Sequence, residues 1–158
     1  MWPFKKSIPT IDWDKYDYSN TEEFHLTGEF VGKVVKLYDA DTWTICFSPF
    51  KDGKVYRYNC RLMGIDSPEK RAKCKLEKQL CIDGQQWLQS IYFDKLVKVK
   101  IDPIKEKFGR LLVHLYDINS GECINDMIVH KNFAVSYFGK TKMNWPHYLH
   151  GSGECNCI

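Results

Sequence analysis

No run of the sequence comes near the roughly 18 consecutive apolar residues that a membrane helix needs, so a spanning protein is excluded. Neither sign of charge dominates: 23 Lys and Arg stand against 20 Asp and Glu, a formal +3, too little by itself to name a partner. Proline and glycine are sparse, at 6 and 10 of 158 residues, which removes collagen-like and low-complexity classes. The N-terminus does not read as a secretory leader, because Pro3, Lys5, Lys6 and Pro9 interrupt it before an apolar core can form. The seven cysteines are an odd number and several fall within apolar-alternating segments, where a thiol packs as a small hydrophobe. Together these absences predict an intracellular protein, cytoplasmic or nuclear, in a reducing compartment. What remains is enough apolar residue, 44%, for one well-filled domain.

The charge is unevenly distributed. Residues 1–28 set Lys5, Lys6 and Lys15 against Asp12, Asp14, Asp17, Glu22 and Glu23, while the remainder is basic. This N-terminal extension intersperses Trp2, Phe4, Trp13, Tyr16 and Tyr18 without a regular period. It reads as a segment lying along the domain through its aromatics, or as a partly ordered tail. The domain proper is expected over 29–140, with a C-terminal tail over 141–158. Phe30–Tyr38, Thr42–Phe47 and Val55–Met63 read as a three-stranded meander turning at Asp52-Gly53. Residues 70–82 read as a basic loop or frayed helix start. Asp83 is the expected N-cap of a helix over 84–93 whose buried face carries Trp87, Leu88, Ile91 and Tyr92. Val97–Ile101 alternates as a strand ended by Pro103, Arg110–Tyr116 as another, and Ile124–Phe133 has helical spacing. Short strands with helices inserted predict an α+β fold, a small barrel with helices.

Four groups of charges sit where plain surface solvation is an uncomfortable account. Asp39 and Asp41 flank Ala40 between two strands, and Asp66 and Glu69 bracket Ser67 and Pro68 at a strand end. Arg61 lies inside a strand, and Arg110 opens another. If these ends converge, up to four carboxylates share one pocket and repel one another unless a cation joins them. A hard divalent ion such as Ca²⁺ takes oxygen ligands in irregular geometry. Two arginines beside it suit a phosphodiester, each fork donating to phosphate oxygens. A carboxylate left off the metal can orient or deprotonate water.

Three strings then carry a resemblance: Gly32-Lys-Val-Val-Lys-Leu-Tyr-Asp-Ala-Asp-Thr42, Arg61-Leu-Met-Gly-Ile-Asp-Ser-Pro-Glu69 and Lys107-Phe-Gly-Arg-Leu-Leu-Val-His-Leu-Tyr116. In order and separation they resemble the signature segments of the staphylococcal nuclease (thermonuclease) family, and Ile124–Tyr137 resembles its late helix and the stretch after it. The resemblance implies a five-stranded OB-type barrel with about three helices. It implies a Ca²⁺-dependent endonuclease that cuts DNA and RNA with low sequence specificity and leaves 3′-phosphates. By position, Asp41, Asp66 and the Ser67 carbonyl would be calcium ligands, with Asp39 in the outer shell. Glu69 would be the general base or the carboxylate that positions water, and Arg61 and Arg110 would bind the scissile phosphate, Arg110 also being a candidate to aid the leaving oxygen. Lys107 and Tyr137 would line the nucleotide cleft. The expected partner is single-stranded or locally opened nucleic acid, and the expected state a monomer. The alternative is a non-catalytic barrel of the same kind that binds nucleic acid or a protein; such a chain would be expected to have lost Arg61, Glu69 or Arg110.

Three positions depart from the family pattern. Ala40 replaces a frequent glycine, Ser67 a threonine, and Phe108 a tyrosine whose hydroxyl can reach a terminal phosphate. Smaller signals stay open at this level. The run Lys70–Lys78 reads equally as a phosphate-holding rim or a solvated loop. His147, His150, Cys155 and Cys157 form a zinc-type set, but Cys-x-Cys is tighter than usual spacing, and a flexible tail is the preferred reading. Cys74 and Cys81 would pair only under oxidation, and idle thiols are the preferred state.

Overall fold

The computed structural model describes residues 10–150. A short 3-10 turn at Trp13–Lys15 is followed by β1 (Gly28–Leu37), β2 (Thr42–Phe47), β3 (Tyr56–Leu62) and the two-residue β4 (Ile65–Asp66). Helix α1 (Lys75–Tyr92), β5 (Leu96–Lys105), β6 (Leu111–Asp117), α2 (Ile124–His130), β7 (Val135–Ser136) and α3 (Trp145–His150) complete the chain. Five strands close a barrel in the order β1-β2-β3-β6-β5, the β3–β6 pair being parallel and the others antiparallel. This is the OB-type α+β architecture expected from the sequence.

The barrel forms because period-2 burial points one side chain in two inward. Trp43, Ile45 and Phe47 of β2, Val97, Val99 and Ile101 of β5, and Val113 and Leu115 of β6 are all buried. In β1 the alternation breaks: register slips between Val34 and Lys36, so Val34 and Leu37 both face inward across a bulge. Leu88, Ile124 and Ile128 join the same core from the helices. Asn125 clasps the parallel seam, accepting from Leu115 N–H at 3.0 Å and donating to the carbonyls of Met63 and Val113 at 2.9 and 3.1 Å.

Several expectations change. Helix α1 begins at Lys75, eight residues before Asp83, because its first turns bury Glu77, Cys81 and Gly84 at helical spacing. An acid and a glycine give no hydrophobic signal, and one thiol between them is too little to mark a face. Gly84 is required by contact: a Cβ there would lie 2.9 Å from the Phe133 ring. Within the expected helix face, Leu88 and Tyr92 are buried but Ile91 is exposed. Strand β5 runs through Pro103 to Lys105, past the end of its pairing with β1, and slips register against β6 there, so the missing N–H is tolerated. Cys74 caps α1 and Cys81 lies seven residues on; at ~1.5 Å rise per residue they are too far apart to bridge. Of the aromatics expected to anchor the extension, Trp13, Tyr16 and Tyr18 are exposed, and Trp2 and Phe4 lie outside the described residues. Packed structure continues into the stretch read as tail, where Trp145 is buried and α3 packs on α1. Cys155 and Cys157 of the zinc-type set lie outside the described residues. No helix among the described residues is long and apolar enough to cross a membrane.

Candidate active site

Strand register brings the separated charges together. Thr42 pairs with Arg61, and Arg61 with Leu112, so the Asp39–Asp41 turn, β3 and the start of β6 lie side by side. The Asp41 carbonyl accepts Leu62 N–H at 2.7 Å, which ties that turn to β3. From the helical side, Gln85 donates to the Leu37 carbonyl at 2.7 Å and fixes the chain just before Asp39. Strands β4 and β7 pair Asp66 with Val135, and Tyr137 N–H donates to the Gly64 carbonyl at 2.8 Å, setting Tyr137 beside the end of β3. All nine residues singled out in the sequence (Asp39, Asp41, Arg61, Asp66, Ser67, Glu69, Lys107, Arg110 and Tyr137) line one cleft of about 800 Å³. A more apolar pocket of about 390 Å³ adjoins it, sharing Arg61, Leu112, Tyr137 and Gly139.

Asp39, Asp41, Asp66 and Ser67 are buried at the floor. Arg61 Nη1 lies 2.5 Å from Asp41 Oδ1, and Nη2 lies 3.4 Å from Asp66 Oδ1 and donates to the Ile65 carbonyl at 3.2 Å. The other Asp41 oxygen accepts Ser67 N–H at 2.9 Å. Burial, then the neighbouring Asp41 carboxylate, push the Asp39 carboxyl up to about 7. Asp66 is also raised, chiefly by burial, with Lys142 pulling the other way. Burial would loosen the Arg61 proton, but Asp41, Asp66 and Asp39 outweigh it and hold the guanidinium above its ordinary value. Three buried carboxyl groups thus crowd one buried guanidinium, with the exposed Lys142 ammonium 3.7 Å from Asp66.

Arg110 is presented by the β5–β6 turn. Gly109, at φ +75°, makes the left-handed step that turns the chain into β6. Glu106 grips the result: its carboxylate accepts from Arg110 Nη2 at 2.6 Å, from Phe108 N–H at 2.8 Å and from Arg110 N–H at 3.3 Å. That hydrogen bond from Arg110 is the main reason Glu106 titrates below the usual carboxylate range. Arg110 Nη1 reaches Thr42 Oγ1 at 3.4 Å, next in sequence to Asp41, while its Nε is buried without a partner. Glu69 is exposed at the rim; its backbone N–H donates to the buried Glu77 at 3.1 Å, and its carboxylate faces Lys142 Nζ at 3.6 Å. The same ammonium lies 3.7 Å from Asp66. Tyr137 lines the cleft with its hydroxyl donating to the Lys140 carbonyl at 3.2 Å.

Of the three departures, Ala40 is harmless, since it is not among the positive-φ residues. Phe108 is 81% exposed, with the Arg110 guanidinium 5.8 Å from its ring centre. Sequence reasoning missed Glu106, Glu77 and Lys142. Glu106 precedes Arg110 by four residues, but that spacing signals a pair on a helix, and here it spans a turn. Lys142 lay in the presumed tail.

The donor set suits a hard cation. It is all oxygen, is rich in carboxyl groups and includes a buried Ser67 Oγ with no hydrogen-bond partner. Among the described residues no group of three or more His, Cys, Asp or Glu side chains is arranged to hold a metal ion, and Arg61 pairs with both Asp41 and Asp66.

Comparison with known proteins bears on this arrangement. An uncharacterised protein of Methanocaldococcus jannaschii is 27% identical over 132 residues, covering 71% of this chain and 61% of that protein. This chain therefore spans less than two thirds of the relative's length. A family model described as staphylococcal nuclease homologue matches residues 59–150, from β3 through α3 and so including Arg61, Asp66, Glu69 and Arg110. That match takes in more than half of the sequence, and the chain belongs to the staphylococcal nuclease homologue family.

Proposed function

We propose that this protein is a calcium-dependent nuclease that hydrolyses phosphodiester bonds of DNA and RNA with little sequence preference, leaving 3′-phosphate and 5′-hydroxyl ends. The observation that carries this reading is the shared cleft: two arginines and an excess of buried carboxylates, from segments far apart in sequence, meet where a sugar–phosphate link would lie.

Asp41, Asp66 and the Ser67 carbonyl would hold the cation, with Asp39 behind them. Bound there, a divalent ion supplies charge that offsets the phosphate and draws electron density from it. The residues do the rest. Arg61 exchanges part of its hold on Asp41 for a phosphate oxygen, and the unpartnered Arg110 Nε donates to another. Both stabilise the charge that accumulates as phosphorus becomes five-coordinate. Glu69, at the solvent edge, takes a proton from water as its oxygen bonds to phosphorus. The bond from phosphorus to the 5′ oxygen breaks with its electron pair going to that oxygen, whose charge Arg110 offsets until solvent water protonates it to the 5′ hydroxyl. Lys105 and Lys107, exposed at the edge of the cleft, bind the backbone through its phosphates, which carry no base identity.

The test is digestion of plasmid DNA, single-stranded DNA and RNA in calcium, in magnesium and in chelator, followed by end-group analysis. Cleavage in calcium with 3′-phosphate ends is expected. Intact nucleic acid in every condition, despite binding, would make the chain a non-catalytic barrel.

A further inference from the structure

The turn after Glu69 carries two cations that have no acidic partner among the described residues. Ala72 N–H donates to the Glu69 carbonyl at 3.1 Å, closing a turn whose apex is Lys70 and Arg71. Both side chains are exposed and line the cleft. Among the described residues neither makes an ion pair with a carboxylate, whereas Lys105 and Arg110 on the other margin are held by Glu23 and Glu106, each at 2.6 Å. Beside the pair lies Tyr38, which follows β1, lines the same cleft and is 37% exposed. Lys70 Nζ is 5.1 Å from its ring centre.

Register puts this group and the β5–β6 turn at opposite margins. Tyr38 N–H donates to the Thr42 carbonyl at 2.9 Å, Thr42 is opposite Arg61, Arg61 opposite Leu112, and neighbouring Leu111 opposite Lys105. Around the closed barrel Arg61 thus lies two inter-strand steps, each about 4.8 Å, from either group, so a phosphodiester at Arg61 leaves both free for flanking nucleotides.

We propose that Tyr38, Lys70 and Arg71 form a further nucleotide subsite on the Glu69 side of the cleaved bond. A base stacks on Tyr38, and Lys70 and Arg71 hold the adjoining phosphates. This rests on the nuclease reading and specifies its substrate: a single strand of about four nucleotides or more, the lower end of what one OB fold binds, rather than a dinucleotide. In the free protein the Lys70 ammonium covers the ring face within cation–π reach. An arriving base takes that face, and the ammonium turns to the phosphate beside it. Stacking of this kind tolerates any base, and duplex DNA cannot offer it without opening.

The experiment measures calcium-dependent cleavage of single-stranded oligothymidylates of two, four and six nucleotides by the full chain. Tyr38→Leu and the Lys70→Ser, Arg71→Ser double variant are compared with the unmodified protein, and thermal melts check that all three fold. Unmodified protein should gain at least about tenfold in kcat/KM from dimer to hexamer, and each variant should lose most of that gain while keeping its dimer rate within about twofold. For hexamer binding, the double variant should lower the slope of log affinity against log salt by about 1.4, and Tyr38→Leu should leave it unchanged. A length gain that survives in both variants, or an equal loss on the dimer, overturns the subsite and leaves the nuclease reading standing. Unmodified protein that cleaves none of the three overturns both.

Discussion

Arg61 and Asp41 form a buried ion pair across neighbouring strands, with Nη1 2.5 Å from Oδ1 and only 14% and 6% of the two side chains exposed. Removing one partner strands the other's charge. Arg61→Met should cost about 3–5 kcal/mol of stability in metal-free buffer, and the double variant with Asp41→Asn should cost less than the sum of the singles. Urea denaturation of the four proteins in this cycle measures the coupling, and simple additivity would show that the pair is not an energetic unit.

Arg110 depends on Glu106 for its aim. Arg110→Ala and Glu69→Gln should each lower kcat on single-stranded DNA by about a hundredfold or more. Arg110→Lys should be nearly as poor, because an ammonium cannot copy the planar fork. Glu106→Gln should fall between these and the unmodified protein with its fold intact, since the amide grips a guanidinium less firmly than a carboxylate. Near-normal turnover of Arg110→Lys would remove the fork from the mechanism.

Lys142 holds its ammonium 3.7 Å from Asp66 and 3.6 Å from Glu69, where it competes with any cation entering the cleft. Lys142→Met should tighten calcium binding about fivefold, the effect of roughly 1 kcal/mol from a half-exposed charge at this range. Isothermal titration calorimetry reads the change, and an unaltered Kd would mean that Lys142 offers no competition.

Glu77 supports the Glu69 turn from inside α1. Burial lifts its carboxyl above the usual 4.5, against the pull of the Glu69 amide. From 4.5 up to that higher native value the folded protein binds more protons than the unfolded chain, so this group makes stability fall as pH rises through the window. Glu77→Gln keeps a carbonyl acceptor for the Glu69 N–H and removes the titration. Denaturation curves collected from pH 4.5 upward should decline less steeply for the variant, and parallel curves would contradict the assignment.

The barrel was legible where burial follows a simple period, as in Trp43, Ile45 and Phe47 or Val97, Val99 and Ile101. It was illegible where packing uses residues that carry no apolar signal: α1 starts at Lys75 because Glu77, Cys81 and Gly84 face inward, and Gly84 is demanded by a ring 49 residues away in sequence. At the cleft, the charged residues could be named one by one, but their partners could not. The hold of Glu106 on Arg110 requires the turn at Gly109, and Lys142 reaches Asp66 and Glu69 only after β7 has paired with β4. Such contacts are fixed by tertiary geometry, which local sequence does not encode.

The parallel seam between β3 and β6 also determines when the protein becomes competent. Arg61 meets Leu112 there, about fifty residues later in the chain, so the cleft is incomplete until both strands have been synthesised and docked. A nascent or proteolytically shortened polypeptide lacking β6 holds one guanidinium and the acids but no second fork. The two guanidinium forks therefore face one cleft only once β6 has docked, and under the nuclease reading a chain that stops short of it should not cleave.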